Sequence, residues 1–320
     1  MSASPDGNQG SVPGGTWALA IHGGAGNASD DGLDAARQRQ IADVLAIVLA
    51  DGARALSAGA ASLDVVEQAV RALEDSPLFN AGRGAVFNAR GDHELEASIM
   101  NGRTLAAGAV AAVRGIANPV TLARWVMERT PHVFLQGEGA EAFAQSQGMR
   151  VEPPAYFYSE HRHEVWEAAR RDAERSEEHG TVGAVALDSA GDLAAATSTG
   201  GMTNKLPGRI ADSSVIGAGT YASNASCAVS CTGHGEYFLR ATVARDIAAL
   251  IEYGGQDAAA AARQIIAGRL ASIGGRGGVI VVDRFGRVTW AFNTELMYRG
   301  AVTAQAAAHV AVLAEDSTGR

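Results

Sequence analysis

Between Leu33 and Leu73, Ala, Leu and Val recur at three- and four-residue spacing with a break near Gly59, which predicts a pair of amphipathic helices. Just before them, Trp17-Ala-Leu-Ala-Ile21 is a short apolar run closing in His22-Gly-Gly-Ala-Gly26, the pattern of a buried strand that enters a glycine turn. Leu73 to Gly84 reads as a loop, followed by strands over Ala85–Asn88, Ala97–Asn101 and Ala106–Val113 and a helix over Pro119–Arg129 with proline near its start. Apolar runs at Thr181–Leu187 and Leu193–Thr199 flank Asp188-Ser-Ala-Gly-Asp192, which predicts a strand, a tight turn and a strand. The plan recurs at Gly278–Asp283 and Arg287–Asn293, and Gly235–Tyr253 and Asp257–Ile273 between them look helical. Strands grouped with strands and helices in pairs favour layered sheets with helices outside over a strict βαβ alternation.

One segment breaks the pattern. Half of the 22 residues from Ser159 to Gly180 are Asp, Glu or Arg, so this stretch reads as an exposed, mobile helix or linker. The whole chain of 320 residues has a net charge of −9, with 47% hydrophobic and 19% charged residues, which suits one large core and excludes disorder as the main state. The acidic balance argues against a nucleic-acid or anionic-membrane surface, since both need a basic patch. Residues 1–15 are polar and rich in Gly, Ser and Pro, a disordered tail without signal-peptide character ahead of a single domain over 16–320. The longest uncharged stretch, Ser213–Gly233, is too polar to span a bilayer. With two cysteines, Cys227 and Cys231, no disulfide framework is available, and the expected location is the cytoplasm. Asn-x-Ser sequences begin at Asn27 and Asn224 and, with no secretory signal, read as chance. Lys205 is the sole lysine.

Three runs carry candidate chemistry. At Gly180-Thr181 a polar segment meets the first residue of a buried strand. Thr181 there is either an ordinary β-branched strand residue or a nucleophile. Glycine before a hydroxyl residue tolerates the strained geometry needed for attack on its own peptide bond. Cleavage would leave Thr181 with a free α-amine, whose ordinary pKa of about 7.7–8.0 makes it a workable base beside the hydroxyl it activates. The second run is Thr197-Ser-Thr-Gly-Gly-Met-Thr-Asn-Lys-Leu-Pro-Gly-Arg209-Ile-Ala-Asp212. Arg209 can grip a carboxylate and Asp212 an ammonium, the two ends of a free amino acid, or the two can form a loop ion pair. The third is Cys231-Thr-Gly-His-Gly-Glu236, where Thr232 and the Gly233 N–H could form an oxyanion hole, a plain capped turn, or, with Cys227, Cys231 and His234, part of a zinc site.

With Ile21-His-Gly-Gly-Ala-Gly26 and Pro77-Leu-Phe-Asn-Ala-Gly-Arg-Gly-Ala-Val-Phe87, these runs stand in the order found in plant-type L-asparaginases and isoaspartyl peptidases, and the chain resembles that family of N-terminal-nucleophile hydrolases from about Trp17 to Gly300. The resemblance implies a four-layer αββα sandwich, a self-cleaving chain (1–180 as α, 181–320 as β) and assembly as (αβ)2. It implies Thr181 as nucleophile, Thr199 as its hydrogen-bonding support, Asn80 as a nearby helper, and Thr232 and Gly233 as the oxyanion hole. Arg209, Asp212 and Gly235 match the substrate-binding positions, with asparagine or β-aspartyl dipeptides as substrates. No cofactor is implied for the chemistry, but a structural sodium matches the main chain of Leu73, Glu74, Ser76, Phe79, Ala81 and Arg83. His234 sits where the family varies. Gly180 replaces the Asp expected before the nucleophile of glycosylasparaginases and so disfavours a glycoprotein substrate. The other readings are a glycosylasparaginase-like hydrolase, a relative of the fold that binds but never matures, and a nucleotide-binding protein, the last without a G-x-G-x-x-G or a Gly-Lys-Ser/Thr loop.

Overall fold

A computed structural model describes residues 15–27, 33–171 and 180–313. The tail expected over residues 1–15 lies almost wholly outside the described residues, as do 172–179 of the charged segment. Strand β1 (Ala18–Gly26) is followed by helices α1 (Ala35–Ser57) and α2 (Ser62–Glu74), then β2 (Leu95–Asn101), β3 (Ala107–Val113) and α3 (Pro119–Arg129). Next come β4 (Phe134–Gln136), α4 (Gly137–Ser146) and α5 (Glu160–Arg171). Beyond the charged segment run β5 (Val182–Leu187), β6 (Leu193–Thr199), β7 (Thr220–Ala222) and β8 (Cys227–Gly233). Helices α6 (Gly235–Ala241), α7 (Val243–Glu252) and α8 (Ala258–Arg263) lead to β9 (Gly277–Asp283), β10 (Val288–Phe292), β11 (Leu296–Thr303) and β12 (His309–Leu313).

The strands form two sheets, one of eight in the order β12-β11-β1-β5-β6-β2-β3-β4 and one of four in the order β10-β9-β8-β7. Every pairing is antiparallel except β3 with β4. Leu45 and Leu49 of α1, Val66 and Val70 of α2 and Leu122 and Val126 of α3 pack on one face of the large sheet, around Leu19, Ile21, Ile99 and Val182. Phe238, Ile247 and Ile266 cover Val229, Val279 and Val281 of the small sheet. A third cluster joins the sheets to each other, with Ala18, Ala20, Val185 and Leu187 against Ala228, Ile280 and Val282. Small residues dominate that contact, which lets the sheets approach closely.

The predicted helix at 119–129 and the 181–199 hairpin are found as expected. Four expectations change. His22–Gly26 is not a turn: β1 runs on through the glycines, pairing with β11 across an irregularity between His22 and Gly24. Ala85–Asn88 is not a strand, because its backbone is spent on single bonds to Asn80 Oδ1 and to the Asn204 N–H. The 235–253 helix breaks at Thr242, whose φ of 46° lies in the left-handed region. The charged segment is not all exposed: Arg162 of α5 is buried, and its Nε donates to the Gly84 carbonyl.

Candidate active site

Thr181 immediately precedes β5, beside the end of β6 at Thr199. It is buried, and its Oγ1 donates to Thr199 Oγ1 at 3.0 Å, while Thr199 Oγ1 also accepts the Gly201 N–H. Across the junction, the Asn80 N–H donates to the Gly180 carbonyl at 3.1 Å. Asn80 is fully buried and ties three segments together. Its carbonyl accepts from Gly200, its Nδ2 donates to the Gly201 carbonyl and its Oδ1 accepts from Val86. A Cβ on Gly180 would lie 2.8 Å from Asn80 Cβ, so glycine is needed here for close approach. Gly180 and Asn80 line a small recess with Gly23, Arg37, Arg162 and Tyr298.

The second group forms where the 203–214 loop meets the start of α6. A Cβ on Gly235 would stand 2.8 Å from Ala211 Cβ, 2.9 Å from Asp212 Oδ1 and 3.1 Å from Arg209 Nη2, so the bare glycine lets the helix start press against both charged residues. Arg209 Nε and Nη2 hold the Glu236 carboxylate at 2.8 Å each, and these bonds keep Glu236 below the usual carboxylate range. Asp212 is buried with Oδ2 lacking a hydrogen-bond partner, and burial, reinforced by the Glu96 charge, pushes its pKa up to about 7. Gly201 joins the two groups, since its N–H reaches Thr199 and a Cβ on it would lie 3.2 Å from Arg209 Nη1.

Thr232 lies near the end of β8, fully buried, and its Oγ1 has no hydrogen-bond partner. Gly233 follows with a φ of 141°, a conformation that glycine adopts most cheaply. At the loop proposed for sodium, a Cβ on Gly82 would strike the Glu74 carbonyl at 2.5 Å, and one on Gly84 would strike that of Phe79 at 2.1 Å, so main-chain oxygens crowd the turn. Glu74 is fully buried, Oε1 accepting from Val120 N–H and Oε2 unpartnered, and burial raises its pKa to about 8. Cys227 and Cys231 are free and buried, and among the described residues no group of three or more His, Cys, Asp and Glu is placed to hold a metal, so the zinc reading has no such group to rest on.

Sequence reasoning missed the supports. Glu96 accepts the Ala211 N–H and the Ser214 hydroxyl, holding the loop that carries Asp212. Its only signal was an acidic residue beside an otherwise apolar strand. Lys205 is buried behind Arg209, with Nζ donating to the Glu94 carbonyl while Glu94 Oε2 accepts the Gly208 N–H. His22, read as a turn residue, bonds through Nδ1 to the Thr181 carbonyl at 2.9 Å and through Nε2 to Ser230 Oγ at 2.8 Å.

The described residues thus bring together a threonine hydroxyl at the head of a central strand and, linked to it through Gly201, an Arg–Asp pair beside a glycine-rich helix start. The family model for asparaginase matches residues 15–312, and the chain belongs to the asparaginase family. An isoaspartyl peptidase of Escherichia coli (strain K12) is 51% identical over 292 residues, covering 88% of this chain and 91% of that protein. An isoaspartyl peptidase/L-asparaginase of Mus musculus is 45% identical, covering 84% and 82%, and a probable isoaspartyl peptidase/L-asparaginase 2 of Arabidopsis thaliana is 40% identical, covering 93% and 99%. Among the described residues no helix is long and apolar enough to cross a membrane.

Proposed function

We propose that the chain is a self-cleaving hydrolase of β-aspartyl peptides and asparagine, acting through Thr181. The observation that carries this reading is the junction at 180–181, where Thr199 receives the Thr181 hydroxyl and the Asn80 N–H holds the carbonyl that hydroxyl would attack. In maturation, Thr181 Oγ1 adds to the Gly180 carbonyl carbon, the C–N bond breaks to give an ester, and water hydrolyses the ester. This leaves a Gly180 carboxylate and a Thr181 α-amine. The Asn80 N–H stabilises the oxygen on which negative charge develops.

In turnover, the freed amine takes the Thr181 hydroxyl proton as Oγ1 attacks the side-chain amide carbonyl of the substrate. Thr232 Oγ1, unpartnered, and the Gly233 N–H donate to the oxyanion. The amine returns its proton to the leaving amine or ammonia, and water then releases aspartate from the acyl-enzyme. Asp212 receives the substrate ammonium, which draws it into its ionised form. Arg209 receives the α-carboxylate on the part of its guanidinium that Glu236 leaves open, or by displacing Glu236. Leu73, Glu74, Ser76, Phe79, Ala81 and Arg83 would hold a sodium ion through main-chain oxygens, which crowd this turn. When bound, the ion would stiffen the turn leading to Asn80 and take no part in bond-making. The sheet and helix clusters suit the layer order αββα, the free buried cysteines suit a reducing cytoplasm, and assembly follows the family's (αβ)2 pattern.

Intact mass of freshly purified protein, repeated over days at neutral pH, tests this. Two fragments of about 18 and 14 kDa, the smaller beginning at Thr181, together with aspartate release from a β-aspartyl dipeptide, are expected. A Thr181→Ala chain that is still cut or active would overturn the mechanism.

A further inference from the structure

The layer between the two sheets contains a line of buried polar side chains that the reaction does not touch. His22 on β1 bonds to Ser230 on β8, Ser230 Oγ lies 2.7 Å from Thr197 Oγ1 on β6, Thr220 Oγ1 on β7 donates to Thr197 at 2.6 Å, and Ser98 Oγ on β2 is 2.8 Å from Thr220 Oγ1 and 2.6 Å from the Ser213 carbonyl. All five are fully buried. Apolar residues would fill this space without hydrogen-bond demands, so the line is costly unless every member is satisfied.

Its polarity follows from its end. The Thr181 carbonyl can only accept, so the proton of the imidazole stands on Nδ1. Burial holds the His22 pKa at about 3, so the ring is neutral and Nε2 carries a bare lone pair. Ser230 must therefore donate to Nε2, and its single proton is then spent. Thr197 then donates to Ser230 Oγ at 2.7 Å, the nearer of its two acceptors beside the Gly219 carbonyl at 3.3 Å, and Thr220 donates to Thr197. Ser230, with its proton on Nε2, cannot turn round without leaving the imidazole lone pair unsatisfied.

We infer that His22 is a positioning residue for Thr181, held in its Nδ1–H tautomer by the Thr181 carbonyl and backed at Nε2 by a line of buried hydroxyls. This rests on the reading of Thr181 as nucleophile. Once the bond before Thr181 is cut, that residue becomes a chain terminus, and termini fray unless tied down. The His22 bond ties the carbonyl attached to its Cα, and so sets where both the α-amine and Oγ1 lie. The motif around the cut supports the assignment. A Cβ on Gly183 would lie 2.0 Å from Ser230 Oγ and 2.4 Å from His22 Nε2, so the third residue of Thr181-Val-Gly183 must be bare for the pair to fit.

The test begins with nitrogen NMR of the matured enzyme labelled at histidine. A protonated Nδ1 and a bare Nε2 are expected for His22, and Ser230→Ala, which leaves the Thr181 carbonyl in place, should keep that tautomer. An Nε2-protonated ring, in the unsubstituted enzyme or in Ser230→Ala, would overturn the inference. Kinetics of the cut forms then separate positioning from packing. His22→Asn keeps an amide donor near the Nδ1 place, whereas His22→Gln moves it towards Nε2. Asn should hold kcat within a few-fold and Gln should lose on the order of tenfold or more, with KM unchanged in both. Equal losses would mean that His22 only pins the sheets together. The tautomer measurement needs no His22 variant and no substrate, so it decides even if both variants misfold. It also fails separately from the nucleophile reading, which Thr181→Ala tests.

Discussion

The hydroxyl of Thr232 offers a sharp trade between stability and catalysis. It is buried, without a hydrogen-bond partner, on a residue with no exposed surface. A polar group stranded in this way costs about 1–3 kcal/mol relative to a satisfied one. Thr232→Val keeps the branched shape and the strand preference of β8 while deleting the stranded oxygen. The folded chain should therefore gain about 1 kcal/mol, or about 1.5 °C in Tm for a chain of 320 residues. Catalysis should move the other way, because an oxyanion donor is worth on the order of 10²–10³-fold in kcat. Calorimetry is best run in a Thr181→Ala background, with and without Thr232→Val, so that both chains stay uncut. Turnover is read by ammonia release from asparagine with the cut single variant. A Val chain that is less stable, or one that turns over at the normal rate, would refute the assignment of this hydroxyl as a group held in reserve for the transition state.

Three other outcomes follow from the geometry. Gly180→Ala places a Cβ against Asn80 and should slow self-cleavage by tenfold or more by prising the carbonyl off the Asn80 N–H, as seen in a time course of intact mass; wild-type cleavage rates would refute it. Binding a substrate ammonium needs ionised Asp212, whose pKa stands at about 7, and attack needs the neutral Thr181 amine, so log kcat/KM should fall with a slope of two below pH 7; Asp212→Asn should leave a slope of one. Glu74 titrates at about 8 when folded against about 4.5 when unfolded. The folded state thus holds the extra proton between these values, and stability present below pH 4.5 is lost as pH rises towards 8. Glu74→Gln should flatten that fall in urea titrations, and an unchanged slope would place the cause elsewhere.

The sequence patterns that proved reliable were local ones. Pro119–Arg129 has a proline start and a helical repeat, and the 181–199 hairpin has its turn residues, so both were legible in a dozen or so residues. Strands β7 and β8 were not, because Ser, Thr, Asn and Gly are scattered through Ser213–Gly233, a stretch read only as too polar to span a bilayer. Its hydroxyls point into the layer between the sheets, where a hydroxyl chain replaces apolar contact, and alternation disappears when both faces of a strand are buried. The site divides in the same way. Thr181, Thr199, Arg209 and Asp212 lie in short motifs and were visible. Glu96 acts on Ala211 from 115 positions away and His22 on Ser230 from 208, and nothing in a single sequence reports such a pairing.

The order of strands in the large sheet would make the proposed cut more than the loss of one peptide bond. The β5–β6 hairpin, from the segment after Thr181, is inserted between β1 and β2 from the segment before it, and β11 closes on the far side of β1. Neither segment holds a contiguous half of this sheet: the later one carries the small sheet and its helices, but the core of the large sheet needs strands and helices from both. Before the cut, unfolding is a unimolecular event that the tether can reverse. After it, unfolding is a dissociation into two species, and recovery depends on their meeting again. The melting temperature of the cut enzyme should therefore rise more steeply with protein concentration than that of the uncut chain, and once diluted and unfolded it should stay lost.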